Sequence, residues 1–149
     1  RRVPVAPSSA ASVLYRRQAR YDEDPVETFG AFASRLNDLG IAYLEVVEDS
    51  FQGNHANGRP EEVIDVIKAG FKGTYIANGA YTAEEARKRI SAGRCDLVTF
   101  GRPFIANPDL PARFREHAEL NKWDDSTFYG GDERGYTDYP TLEELEVSA

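Results

Sequence analysis

Between Asp24 and His117 the hydrophobic positions follow two alternating rhythms. Phe29, Phe32, Leu36 and Leu39 recur at helical spacing. Asp24-Pro25-Val26-Glu27 precedes them and reads as an N-cap, a proline at the first helical position and the acid of a capping box. Gly40 stops that helix. The compact run Ile41–Val47, with β-branched and aromatic members, predicts a buried strand. A second helix opens at Pro60, runs through Val63 and Ile64 to Ala69 and closes at Gly70; Gly73–Ala77 predicts the next strand. Thr82, with Glu85 three residues on, caps a third helix that Gly93 ends. Asp96–Phe100 is a third strand, and Asn107-Pro108-Asp109 begins a fourth helix containing Leu110 and Phe114.

Short buried strands alternating with capped helices predict an α/β fold built from parallel βα units. A weaker strand, Val3–Ala6, stands in front, followed by a solvated loop. Two architectures fit: an open doubly wound sheet, or part of a (β/α)8 barrel. In both, ligands bind at the carboxyl ends of the strands. Function is therefore sought at Glu48 and Asp49, at Asn78-Gly79 and at Gly101-Arg102.

Composition narrows the classes. The 149 residues are 41% hydrophobic, enough for a core, and no apolar run reaches the roughly 18 residues of a membrane span. The net charge of −7 disfavours a nucleic-acid partner, which needs clustered Lys and Arg. Residues 1–20 hold five arginines and no acid, a composition shared with organelle transit peptides, but Pro4 and Pro7 break any amphipathic period. The chain is read as cytoplasmic. It contains no methionine, so Arg1 is taken as a processed or cut end, or the start of an incomplete sequence. With Cys95 the sole cysteine and two histidines, no metal site is expected.

Asn78-Gly79 and Gly101-Arg102 carry the strongest chemical signal. Each pair follows a strand directly, where a glycine lets main-chain N–H groups approach an anion. Arg102 can add a charge-assisted grip on phosphate, and paired strand-end loops of this kind form the phosphate site of many (β/α)8 barrels. The bland alternative is that both glycines are turn residues and Arg102 pairs with a surface acid. No Walker loop or G-x-G-x-x-G is present. Glu45, Glu48 and Asp49 could form paired carboxylates, although nothing in the sequence fixes their separation. His55 and His117 read as loop and surface histidines, Cys95 as a small buried residue and Trp123 as packing for the tail. Residues 121–139, dense in Tyr, Gly and Asp without period, read as an ordered functional excursion, followed by a short acidic helix at Thr141–Leu145.

Three collinear stretches resemble the old yellow enzyme family of flavin-dependent ene-reductases. They are Thr74–Tyr81 (TYIANGAY), Asp96–Leu110 (DLVTFGRPFIANPDL) and the tail elements Leu120-Asn121-Lys122, Thr127–Gly131 and Gly135–Pro140. Asp24–Gly30 and Ala42-Tyr43-Leu44 support the same resemblance, which spans about residues 22–145. It implies a (β/α)8 TIM-type barrel binding FMN, of which the last four or so βα units are present. Residues 1–21 are then a divergent N-terminal segment, and 22–149 the C-terminal half-barrel with its aromatic extension. The family takes hydride from NAD(P)H onto flavin and delivers it to an activated alkene, such as an enone. The resemblance assigns cofactor binding to Asn78, Gly79, Gly101, Arg102 and Phe128, and substrate binding to Tyr129.

A whole barrel of this type needs about 250 residues. The family's substrate-binding pair, its proton-donating tyrosine and the residue that tunes the flavin all precede the matching region, so no catalytic residue is assigned. Pro4 stands where the family has a flavin-facing arginine, and residues 8–21 match its pattern poorly. Two functions are therefore weighed: part of an FMN-dependent oxidoreductase, or a non-catalytic half-barrel (or degenerate remnant) that binds a phosphate-containing ligand. The expected partner is the missing half-barrel or a second copy of the chain, because Leu44, Val46, Ile76 and Val98 are expected on an uncovered inner sheet face.

Overall fold

In a computed structural model of the chain, residues 11–12, 23–48, 59–128 and 132–147 are described. The chain divides into two units, Arg1–Thr99 and Phe100–Ala149.

In the first unit the helices begin and end where the sequence supplies the signal. α1 (Pro25–Asp38) has Asp24 as its N-cap, the carboxylate accepting from the Glu27 N–H at 3.3 Å. Gly40 follows α1 at φ +66°, a conformation that a side chain would strain. α2 (Pro60–Gly70) starts on a proline with Glu61 and Glu62 in its first turn. α3 (Ala83–Ser91) carries the full capping box between Thr82 and Glu85. Gly70 lets α2 approach α1: a Cβ there would lie 3.0 Å from the Gly30 carbonyl oxygen and 2.8 Å from Ser34 Oγ.

Four strands, β1 (Ala11–Ser12), β2 (Tyr43–Val47), β3 (Thr74–Asn78) and β4 (Leu97–Thr99), form one parallel sheet in sequential order. The registers pair Ala11 with Leu44, Val47 with Asn78, and Asn78 with Thr99. Strand β1 thus falls within the stretch read as solvated loop, because its main chain completes the ladder along β2. The expected strand at Val3–Ala6 lies outside the described residues. No described helix is long and apolar enough to cross a membrane.

The core lies between the sheet and its helices. Leu44, Val46, Tyr75 and Ala77 pack with Ala33 and Leu36 of α1, with Val63, Ile64 and Ile67 of α2, and with Phe71 and Cys95; Val98 borders this cluster. Burying each of the larger aliphatic side chains stabilises the unit by roughly 1.5–3 kcal/mol. This corrects the expected inner face: Leu44, Val46 and Val98 point toward the helices. The opposite face carries Tyr43, Glu45 and Val47, then Thr74, Ile76 and Asn78, then Leu97 and Thr99. There Tyr43, Val47 and Leu97 remain 36%, 38% and 51% exposed.

In the second unit, α4 (Arg102–Ala106) and α5 (Leu110–Glu116) are joined through Asn107–Asp109. Helix α5 begins where the sequence predicts, and α4, only five residues long, has no period to betray it. His117 ends α5 in the left-handed region. A 3₁₀ turn (Asp125–Thr127) and α6 (Leu142–Val147) follow. Phe100 and Phe114 meet edge-on at 5.1 Å.

A buried clasp holds this irregular segment. Arg113, 1% exposed, donates from Nε to Asp109 (2.7 Å), from Nη1 to the Glu119 carbonyl (2.7 Å) and from Nη2 to the Pro140 carbonyl (2.8 Å). Asn121 bonds the carbonyls of Ala106 and Pro140, and its N–H donates to Asn107 Oδ1. Asp109 also accepts from the Leu142 N–H at 2.7 Å. These bonds satisfy main-chain groups of this segment that no strand ladder pairs among its described residues.

Candidate functional site

The turn after β3 sits at the carboxyl edge of the sheet. Asn78 ends the strand and Gly79 follows at once. Asn78 Nδ2 donates to Thr99 Oγ1 (2.8 Å) and to Glu45 Oε1 (3.3 Å), while the Thr99 hydroxyl donates to the same Glu45 oxygen (2.7 Å). A carboxylate only accepts, so the amide nitrogen of Asn78 must face Glu45. Its remaining atom, Oδ1, is an acceptor and cannot bond a phosphate oxygen. The donors this turn can offer an anion are main-chain N–H groups, in keeping with the glycine.

On the helix side of the sheet, Glu48 is 1% exposed and surrounded by donors. The Tyr75 hydroxyl donates to Oε1 at 2.8 Å, and the Tyr81 hydroxyl and Arg89 Nη2 both donate to Oε2. The Arg89 guanidinium lies 5.0 Å from the Tyr81 ring centroid, a cation–π contact. Burial, and then the Glu48 carboxylate beside it, push the Tyr75 phenol above its usual range. Burial likewise raises the Cys95 thiol, which favours the protonated form over the nucleophilic thiolate. Glu45 and Glu48 therefore do not form a carboxylate pair: each is engaged on its own face of the sheet. Asp49 and His55 lie outside the described residues.

In the second unit Gly101 precedes Arg102, the first residue of α4, and no side chain caps this helix. A Cβ on Gly101 would meet nothing within 4 Å. Arg102 is 65% exposed, with Nε 3.6 Å from an equally open Asp125. Phe128 is buried behind the 3₁₀ turn, and Tyr129 lies outside the described residues, as do Pro4 and Pro7. His117 is exposed, and Trp123, at 41% exposure, packs only in part. The Glu48 cluster and the Arg113 clasp were not found from sequence. Tyr75, Tyr81 and Arg89 meet Glu48 across 27 to 41 residues, and only the strand register brings them together.

The model of the NADH:flavin oxidoreductase / NADH oxidase family matches residues 9–121. The chain belongs to this family. It is the one that the strand-end motifs resemble, and the match extends into the N-terminal stretch where that resemblance was poor. Among curated proteins, a putative 12-oxophytodienoate reductase 10 from Oryza sativa subsp. japonica is 41% identical over 83% of this chain and 41% of its own length. The 12-oxophytodienoate reductase 2 of Arabidopsis thaliana is 41% identical over 82% of this chain and 33% of its own. Among solved structures, a morphinone reductase superposes with a TM-score of 0.73 at 45% identity, covering 83% of this chain and 33% of that one. Another structure of morphinone reductase is a complex with tetrahydroNAD. The chain thus spans about a third to two fifths of the length of these relatives.

Proposed function

We propose that this chain is the phosphate-holding part of an FMN-dependent oxidoreductase, formed by the last βα units of a (β/α)8 barrel. Two phosphate-binding elements support this reading, each taken by itself: the main chain after Asn78, and Gly101 with the Arg102 guanidinium. The chemistry that FMN supplies when bound is hydride transfer from NADH or NADPH to an activated alkene such as an enone. Phe128 and Tyr129 are assigned to the flavin and substrate side of the tail. The apolar side chains on the open sheet face are those that the remaining strands of a barrel, or a second copy, would cover.

The observation that carries this reading is the state of Gly101-Arg102. The space at Gly101 is open, and among the described residues Arg102 meets an acid at Asp125, a 3.6 Å contact in which both side chains are about two-thirds exposed. Surface pairs of that kind are worth about 0–1 kcal/mol. A hydrogen bond from the guanidinium to a phosphate is worth about 1.5–3 kcal/mol. Redirecting Arg102 from Asp125 to a phosphate is therefore favourable. The test is FMN titration followed by flavin fluorescence. Arg102→Ala is expected to weaken binding by about 1.5–3 kcal/mol. Unchanged affinity overturns the assignment.

A further inference from the structure

We propose that Glu45 and Glu48 are positioning residues that hold the Asn78–Tyr81 turn from both ends, ready for an anionic phosphate. The proposal rests on the reading that this turn receives the FMN phosphate. Glu45 fixes the start of the turn through Asn78 and Thr99, and Glu48 fixes its end through the Tyr81 hydroxyl. Between the anchors stand Gly79, which has no side chain, and Ala80, whose side chain is a single methyl. A loose glycine turn would lose conformational entropy each time a ligand ordered it. Anchoring removes that cost before the ligand arrives.

The device follows from strand geometry. Side chains alternate across a sheet, so Glu45, between Leu44 and Val46 of the helix-facing set, grips Asn78 on the open face. Glu48 is the first residue past the end of β2, and its buried carboxylate grips Tyr81 on the helix side. The register that sets Val47 against Asn78 brings both within reach of the turn.

Charge supports a positioning role over a binding one. Two carboxylates beside a phosphate site would repel the ligand if they faced it. Instead Glu48 is buried against Arg89, which offsets its charge, and two tyrosine hydroxyls. Glu45 uses its carboxylate oxygen as an acceptor for Asn78 and Thr99, and a carboxylate cannot donate to a ligand. The Tyr81 ring is pinned again by Arg89 at 5.0 Å, so both the hydroxyl and the ring of this residue are fixed.

The experiment uses the full chain and two readouts: amide hydrogen exchange without ligand, and FMN affinity by flavin fluorescence. Glu48 itself is left intact, because its removal would strand Arg89. Tyr81→Phe removes only the hydroxyl, and Glu45→Leu removes the acceptor. Each is expected to speed exchange at residues 79–81 and to weaken FMN binding up to about tenfold, the worth of one hydrogen bond. Exchange in α1 and α2 should stay at the wild-type rate. Glu45→Gln keeps an oxygen where both bonds converge and is expected to restore both readouts. Unaltered exchange at the turn in both Tyr81→Phe and Glu45→Leu overturns the proposal, as does acceleration spread equally through the core, or failure of Glu45→Gln to rescue. If exchange behaves as expected but the wild-type chain binds no FMN, the anchoring stands and the phosphate reading falls.

Discussion

Replacing Arg113 with methionine tests how the second unit is held together. The guanidinium is 1% exposed and makes three charge-assisted bonds, to Asp109 and to the carbonyls of Glu119 and Pro140. Removing one partner of a buried pair costs about 3–5 kcal/mol, because the other charge is left uncompensated. Here the lower end applies. The Asp109 side chain keeps 17% exposure and the Leu142 N–H, and the Pro140 carbonyl keeps Asn121. A loss of about 3 kcal/mol, set against a urea slope of roughly 1 kcal/mol/M for so short a segment, moves the midpoint down by about 3 M. Trp123, the chain's one tryptophan, lies in this unit and reports its unfolding by fluorescence. Arg113→Lys keeps the charge without the planar fork and should fall between wild type and Arg113→Met. A midpoint shift below about 0.5 M for Arg113→Met would show that the clasp adds little, and the account of the tail would fail.

Two further outcomes are expected. Burial raises the Asp109 carboxyl, but hydrogen bonds from Arg113 and the Leu142 N–H outweigh it and hold the group below the usual aspartate range. Its contribution is therefore fully present above the ordinary value near 4 and is lost as pH falls through the lower folded value. The Trp123 signal should show an acid transition there that Asp109→Asn weakens, and an identical profile in the variant would refute the linkage. Second, Tyr43, Val47 and Leu97 stand open on one sheet face, so the purified chain should associate; light scattering that shows a clean, folded monomer at tens of micromolar would contradict this.

Local signals carried most of the fold. Asp24, Thr82, Pro60 and Gly40 each mark an element end because capping depends on residues within one turn of the chain. β2 and β4 lie within the stretches the pattern assigns, and β3 runs one residue beyond its stretch, to Asn78. The pattern could not give β1, whose two residues are fixed by pairing with β2, nor α4, which is too short to show a period. The density of Tyr, Gly and Asp in the tail gave no hint of what holds its described residues. Arg113 looks like any helical arginine until its three partners, up to 27 residues away, are seen.

The site divides along the same line. Gly79, Gly101 and Arg102 could be singled out because a glycine or a cation directly after a strand has meaning by itself. Glu45 of β2 and Glu48 just past its end could not. In the run Ile41–Val47 the apolar residues lie on both sides, since a parallel strand is covered on both faces, and such a run does not disclose which face is which. That ambiguity put Leu44 and Val46 on the open side, although they pack against α1 and α2. The same ambiguity made Glu45 and Glu48 look like one carboxylate pair. Register resolves both questions together, because a one-residue slip would exchange every side chain between the faces. With Leu44 and Val46 toward the helices, Glu45 must face Asn78 and Thr99, while Glu48, three residues on, reaches Tyr75, Tyr81 and Arg89 on the other side. The β2–β3 pairing therefore sets which face is core and turns Glu45 toward Asn78, and the β3–β4 pairing and α3 add Thr99 and Arg89 to complete the anchoring of the strand-end turn.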